Sequence, residues 1–368
     1  MSQSKEYFSY FKNFDVVEKT RCLILGAGTL GCSVARSLLP WGIQHITFVD
    51  KDVVSPSNPT RQSLYTDQDW REEKPKAEAA ADNIKIIFPE VNIVGHRLKI
   101  PSIGHSVEKE TIERTVKELS GLIENHDIIF LLTDTRGSRW LPTVLGQCMQ
   151  KIVINVSIDL DSYTVSRHGV YTEADPVPNT ILNNETGLTS IDGRNLACFF
   201  CTENLFPEKP VLQEIIKPLD KKYTVTRPGV PLIAATMAVE LAISLLIQTS
   251  NVSTPAFFYA NSDNNKENLK YLNYNQMGLV PHVIKGNMST YGQLVTAFEK
   301  NAKCAACSDT VVKQYQQQGN AFFIKVLENP RHLKKLLKME EGFDRESILN
   351  DVRCKFHLIF IRINYILN

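Results

Sequence analysis

The chain has no long hydrophobic run and no surplus of either charge. No stretch reaches the roughly 18 uncharged apolar residues that a membrane-spanning helix needs. The most apolar helical pattern, near Val230 to Ile247, contains Glu240, and the apolar end CKFHLIFIRINYILN is short and carries Arg362. The opening MSQSKEYFSYFKNFDVVEKT has no apolar h-region, so no secretory signal is read there. Lys and Arg number 41 against 40 Asp and Glu, for a net charge of +1. That balance gives no electrostatic ground for nucleic acid or an anionic membrane as partner. There is no internal repeat. The expectation is a soluble cytoplasmic protein without a membrane span or a nucleic-acid partner. Eight cysteines without a secretory signal then point to thiols or metal ligands rather than disulfides.

The 368 residues suffice for one large or two modest cores. In the first half, short aliphatic strands alternate with helical patterns. RCLILGAG, HITFVD, VNIVGHRL, DIIFLLTD and KIVINVSI read as strands; TLGCSVARSLLPWG, KPKAEAAADNIKIIF, VEKETIERTVKELSGLIEN and SRWLPTVLGQCMQ read as helices. Aliphatic strands without polar alternation, separated by helices, predict an α/β fold with a mostly parallel sheet covered on both faces. SYTVSRHGV reads as an antiparallel strand, Val230–Ile247 as a helix, and STPAFFYANSDNNKENLKYLNYNQMG as a surface excursion. Two further helical patterns follow Asp309. The expected organisation is a short lead over 1–20, a sheet domain over 21–250, an extension over 251–343 and an atypical tail over 344–368.

Gly26, Gly28 and Gly31 form a G-x-G-x-x-G turn between a strand and a helix, and Asp50 ends the second strand. This is the context of a nucleotide fingerprint, with phosphate on the helix N-terminus and an acid for the ribose. The turn alone does not separate a dinucleotide from ATP. Asn58, Arg61 and Gln62 in the next loop, Lys76 opening the next helix and Asp134 ending the fourth strand favour ATP. Cleavage between the α- and β-phosphates develops negative charge that fixed cations stabilise. A carboxylate such as Asp134 suits Mg²⁺, which takes few protein ligands. A dehydrogenase has no use for those cations, and no catalytic His–Asp pair stands in a suitable place.

Cys198-Phe-Phe-Cys201 and Cys304-Ala-Ala-Cys307 are two C-x-x-C pairs, whose four thiolates complete a closed tetrahedral zinc site. Such a site ties the C-terminal helices to the sheet domain. Cys22 and Cys32 read as small buried residues.

In the order of these elements the chain resembles the adenylating core of ubiquitin-activating enzymes and their bacterial relatives MoeB and ThiF. More narrowly, LGAGTLGC, HITFVD, SNPTRQ, TDTRGSRWLP, TVTRPG and GLVPH resemble the catalytic region of the activating-enzyme family of autophagy, over about Arg21 to Glu340. The resemblance implies a Rossmann-like, ThiF-type fold with a zinc-tethered extension. It also implies a homodimer that adenylates the C-terminal glycine of an autophagy ubiquitin-like modifier. Asp50 would lie on the ribose, Arg61 and Lys76 on the phosphates, and Asp134 on Mg²⁺.

Two departures stand beside it. The family places a cysteine nucleophile immediately before TV(T/S)RPG, and this chain has Tyr223 there. A phenol with a pKa near ~10 stays protonated where a thiol near ~8.5 is readily tuned, so Tyr223 fills the position without the chemistry. Three accounts stay open: a pseudoenzyme for thioester formation, an adenylating enzyme with another acceptor, or an isolated substitution. The ends also differ. The family has a large N-terminal domain that recruits the conjugating enzyme and an acidic tail that helps capture the modifier. Here about 20 residues precede the first strand and the tail is basic and aliphatic.

Overall fold

The computed structural model describes residues 14–103, 109–172, 180–182, 188–202, 225–248, 251–259, 277–329 and 331–338. After a short helix α1 (Asp15–Lys19), strands β1 (Arg21–Leu25), β2 (His45–Asp50), β3 (Asn92–Arg97), β4 (Ile128–Leu131) and β5 (Ile152–Ile158) lie parallel in the order β3-β2-β1-β4-β5. The crossovers are helices α2 (Thr29–Leu38), α3 (Asp67–Arg71) with α4 (Lys76–Ile87), α5 (Lys109–Glu124) and α6 (Arg136–Cys148). The strand order reverses direction at β1, and ligands of open α/β sheets bind in the crevice such a switch opens at the carboxyl ends of the strands.

Both faces of the sheet are covered because both carry apolar side chains. Within β1, Cys22 and Ile24 face one core with α2, α4 and the apolar helix Gly229–Leu246, whereas Leu23 and Leu25 face the other with α5 and α6. Burial of each such Leu or Ile contributes roughly 1.5–3 kcal/mol. Antiparallel β6 (Ser162–Arg167) pairs with β5, as the sequence predicts. A second, three-stranded sheet joins β7 (Thr180–Leu182), β8 (Leu188–Ile191) and β9 (Ala256–Tyr259). Strand β9 falls in the stretch read as a surface excursion; residues 260–276 lie outside the described residues. Short α7 (Phe199–Thr202) opens on the first cysteine pair, and α8 (Gly229–Leu246) is the apolar helix. Among the described residues α8 is the one helix with the length and apolarity of a membrane span, and 67% of it is buried inside the protein. Its Glu240 accepts a hydrogen bond from the Trp41 indole at 3.0 Å.

The sequence reading missed a hairpin, β10 (Val283–Asn287) and β11 (Gly292–Thr296), which extends the large sheet beyond β6. The C-terminal region therefore supplies two strands as well as helices α9 (Asp309–Gln318), α10 (Asn320–Glu328) and α11 (Arg331–Leu336). These helices pack on α5 and α6: Phe323 stands edge-on to Trp140 at 5.7 Å, and the Trp140 indole donates to the Ala305 carbonyl at 2.8 Å.

Candidate active site and four-cysteine centre

Two of the three loop glycines are required by space. Gly26 turns off the end of β1 at φ +112°, and a Cβ there would stand 3.1 Å from the Leu132 carbonyl oxygen beyond β4. A Cβ on Gly31 would meet the Gly26 carbonyl oxygen at 2.1 Å, so the helix can approach the strand only without one. Gly28 stands at the N-cap of α2 with no side-chain capping bond, which leaves backbone amides for a phosphate. Asp50 holds this loop from below: Oδ2 accepts from the Ala27 amide at 2.8 Å and Oδ1 from the Asp52 amide at 2.9 Å. Burial raises its pKa, against the two amides and the nearby Lys76 charge. Each oxygen retains acceptor capacity for a ribose hydroxyl.

Arg61 is exposed, and its Nη1 donates to Thr29 Oγ1, the first residue of α2, at 2.8 Å. The loop brings it there because the Asn58 carbonyl accepts from the amides of Arg61 and Gln62, at 3.0 and 2.8 Å, while Asn58 Oδ1 closes the turn onto the Ser55 amide. Asn58 is thus buried in the loop's own turn. Gln62 is 2% exposed, yet its Oε1 has no hydrogen-bond partner. Thr133 Oγ1, beyond β4, is buried in the same condition. Two orphaned acceptors beside the glycine loop and the switch point fit a polar ligand such as a nucleotide. Lys76 opens α4 at the level of the loop, its amide bonded to the Asp52 carbonyl at 2.9 Å.

The sequence reading placed Asp134 at the end of strand four. The strand ends at Leu131, and Asp134 is an exposed residue of the turn that enters α6, between Thr133 and the capping Thr135. One exposed carboxylate at this position fits Mg²⁺ held chiefly by phosphate oxygens. Tyr223 lies outside the described residues.

Two residues escaped the sequence reading. The buried Tyr65 hydroxyl sits 2.6 Å from the Ala27 carbonyl and 3.1 Å from that of Lys76, bridging the glycine loop to α4. Arg139, 6% exposed, donates through Nε to the Thr133 carbonyl at 2.9 Å. The signal for both was an aromatic and an extra arginine inside polar motifs. A cleft of about 290 Å³ lined by Leu39, Ile43 and Phe88 lies at the far end of α2 and shares no residue with this site.

The four cysteines converge. Their Sγ atoms all lie within 4.8 Å of one another, with Cys198–Cys304 at 3.6 Å, Cys201–Cys307 at 3.2 Å and Cys198–Cys201 at 3.9 Å. Zn–S bonds near 2.3 Å in a tetrahedron require about 3.8 Å between sulfurs, so the set fits zinc. Asn301 and Ala306 amides point at Cys201 and Cys304 sulfur, at 3.3 and 3.4 Å, as supporting donors do around metal thiolates. Hydrogen bonds, first from Cys198, pull the Cys201 thiol well below its ordinary value, while burial pushes Cys198 up.

A glycine turn at the switch point, an acid below it and candidate cations from the next loop and helix are the arrangement of an α/β protein of the adenylating class. The ThiF family matches residues 10–277, and the chain belongs to that family. It is 40% identical over 330 residues to human ubiquitin-like modifier-activating enzyme ATG7, covering 85% of this chain and 46% of the relative. It is 38% identical over 330 residues to the Dictyostelium discoideum enzyme of that name, covering 88% and 45%. The chain thus spans about half the length of the curated relatives it matches. Among solved structures, Escherichia coli MccB with MccA-N7isoASN superposes with a TM-score of 0.52 at 15% identity, covering 80% of this chain and 69% of that one. That likeness concerns the fold.

Proposed function

We propose that this chain activates an autophagy ubiquitin-like modifier by ATP-dependent adenylation of the modifier's C-terminal glycine. The observation that carries the reading is Arg61 bonded to the first residue of the glycine-loop helix, with Lys76 opening α4 at the same level. The glycine carboxylate oxygen attacks the α-phosphorus, the bond to the bridging oxygen breaks, and pyrophosphate leaves with the electron pair. Arg61 and Lys76 neutralise charge on the phosphates, Asp50 accepts from the ribose, and Gln62 meets the nucleotide with its unpaired oxygen. Asp134 would hold Mg²⁺, which would add charge neutralisation at the phosphates. Cys198, Cys201, Cys304 and Cys307 would hold a structural zinc. The protein works in the cytoplasm as a homodimer. The relatives support this reading by name, each a ubiquitin-like modifier-activating enzyme.

The reaction stops at the adenylate, because Tyr223 offers a phenol where a thiolate would accept the acyl group. The same tyrosine supports a second reading, a catalytically silent homologue that dimerises or binds modifier. Tyr223→Cys, incubated with MgATP and modifier and run on a non-reducing gel, separates them. A thiol-sensitive adduct in the variant alone supports adenylation stalled at Tyr223. No adduct, with no adenylate in either protein, supports the silent module.

A further inference from the structure

We propose that Arg139 is a positioning residue that couples the four-cysteine centre to the turn carrying Asp134. Occupancy of the centre then sets how firmly that turn is held. The inference rests on the adenylation reading only for what Asp134 does, namely hold magnesium.

The connection is continuous. Arg139 Nε donates to the Thr133 carbonyl at 2.9 Å, and Nη1 donates to Asn155 Oδ1 and, at 3.2 Å, to Ser157 Oγ, both on β5. The guanidinium carbon lies 5.0 Å above the centre of the Phe199 ring. Phe199 is the residue after Cys198 and precedes Cys201 by two, and its amide donates to His168 Nε2 at 3.2 Å. The cysteine knuckle thus fixes the ring, the ring and β5 fix the guanidinium, and the guanidinium fixes the carbonyl next to Asp134. On the other side, Thr135 caps α6 by accepting from the Ser138 amide at 3.4 Å. Asp134 itself is exposed, so its position comes from these two neighbours.

The chemistry calls for arginine. A planar fork donates in its plane to a carbonyl and a carboxamide while its face stacks on an aromatic ring. An ammonium cannot do both. Because the guanidinium is buried, loss of the fork removes the Thr133 carbonyl's charged donor, and loss of the ring contact loosens it.

Hydrogen–deuterium exchange of the full chain tests this without nucleotide. Arg139→Lys and Phe199→Leu both keep four thiols, and each is compared with the natural protein at one zinc per chain. Amide exchange in 132–138 is expected to be at least about tenfold faster in both, with β1 unchanged. Removing zinc from the natural protein is expected to accelerate the same segment. In nucleotide binding, the Mg²⁺ concentration for half-saturation should rise while affinity at saturating Mg²⁺ stays within about twofold. Natural-protein exchange rates in 132–138 for both variants, or zinc removal that accelerates only 304–338, would overturn the coupling. Failure of the adenylation reading is separate, since it appears as absent pyrophosphate exchange in the natural protein.

Discussion

At the carboxyl ends of β1 and β4 the backbone is fixed, and two of the candidate side chains, Arg61 and Asp134, face solvent. Gly26 and Gly31, in contrast, are hemmed in by backbone that leaves no room for an added carbon. At the cysteine centre three of the four sulfur-bearing residues are buried, and the surrounding aromatic rings belong to the protein core. The first region leaves acceptors such as Gln62 Oε1 unsatisfied; the second brings four mutually close thiols that a single ion can satisfy. Binding sites retain unmet polar groups at some cost in stability, whereas a structural centre converts its polar groups into stability.

Substitutions should separate the two regions. The largest effect is expected for Cys304→Ser, which removes one of four thiolates. Zinc should fall below one per chain, with a thermal midpoint lowered by many degrees, since structural zinc contributes on the order of 10 kcal/mol in small domains. An unchanged midpoint and full zinc would erase the distinction. Gly31→Ala drives a methyl into the Gly26 carbonyl. It should cost roughly 3–4 kcal/mol in chemical denaturation and abolish nucleotide binding. Arg61→Ala should lower adenylation about 10²–10³-fold while stability stays within about 0.5 kcal/mol, because the side chain is exposed.

The smallest effect is set by pH, on the structural side. His282 accepts from the Phe298 amide through Nδ1 at 3.0 Å, and its Nε2 faces the Ala197 carbonyl at 2.9 Å. Only the neutral imidazole fits both, and burial pushes its pKa down to about 3. The folded state binds fewer protons than the unfolded chain between that value and ~6.5, so stability is full above ~6.5 and declines as pH falls. About 2 kcal/mol should be lost by pH 5. His282→Gln should flatten that slope in denaturant titrations; an identical slope would remove His282 from the account.

Legibility in the sequence followed the range of the interactions. The parallel strands, the glycine loop and the two C-x-x-C pairs are local patterns, and the sulfurs meet because a pair spacing of three residues already forms each knuckle. The β10–β11 hairpin was missed because its pairing partner, β6, lies over a hundred residues away. Tyr65 and Arg139 were missed although their partners are nearer in sequence, because their roles consist of bonds to Ala27 and Asn155 that no spacing announces. Asp134 reads as part of the strand because IIFLL carries the apolar run past the strand's end at Leu131, whereas Asp134 already belongs to the turn that Thr135 closes by capping α6.

The most direct test of the central claim is ATP–pyrophosphate exchange by the natural protein, with Mg²⁺ and an autophagy ubiquitin-like modifier. Modifier-dependent exchange that Arg61→Ala suppresses about a hundredfold is the predicted result. No exchange by a folded protein carrying one zinc per chain would contradict it.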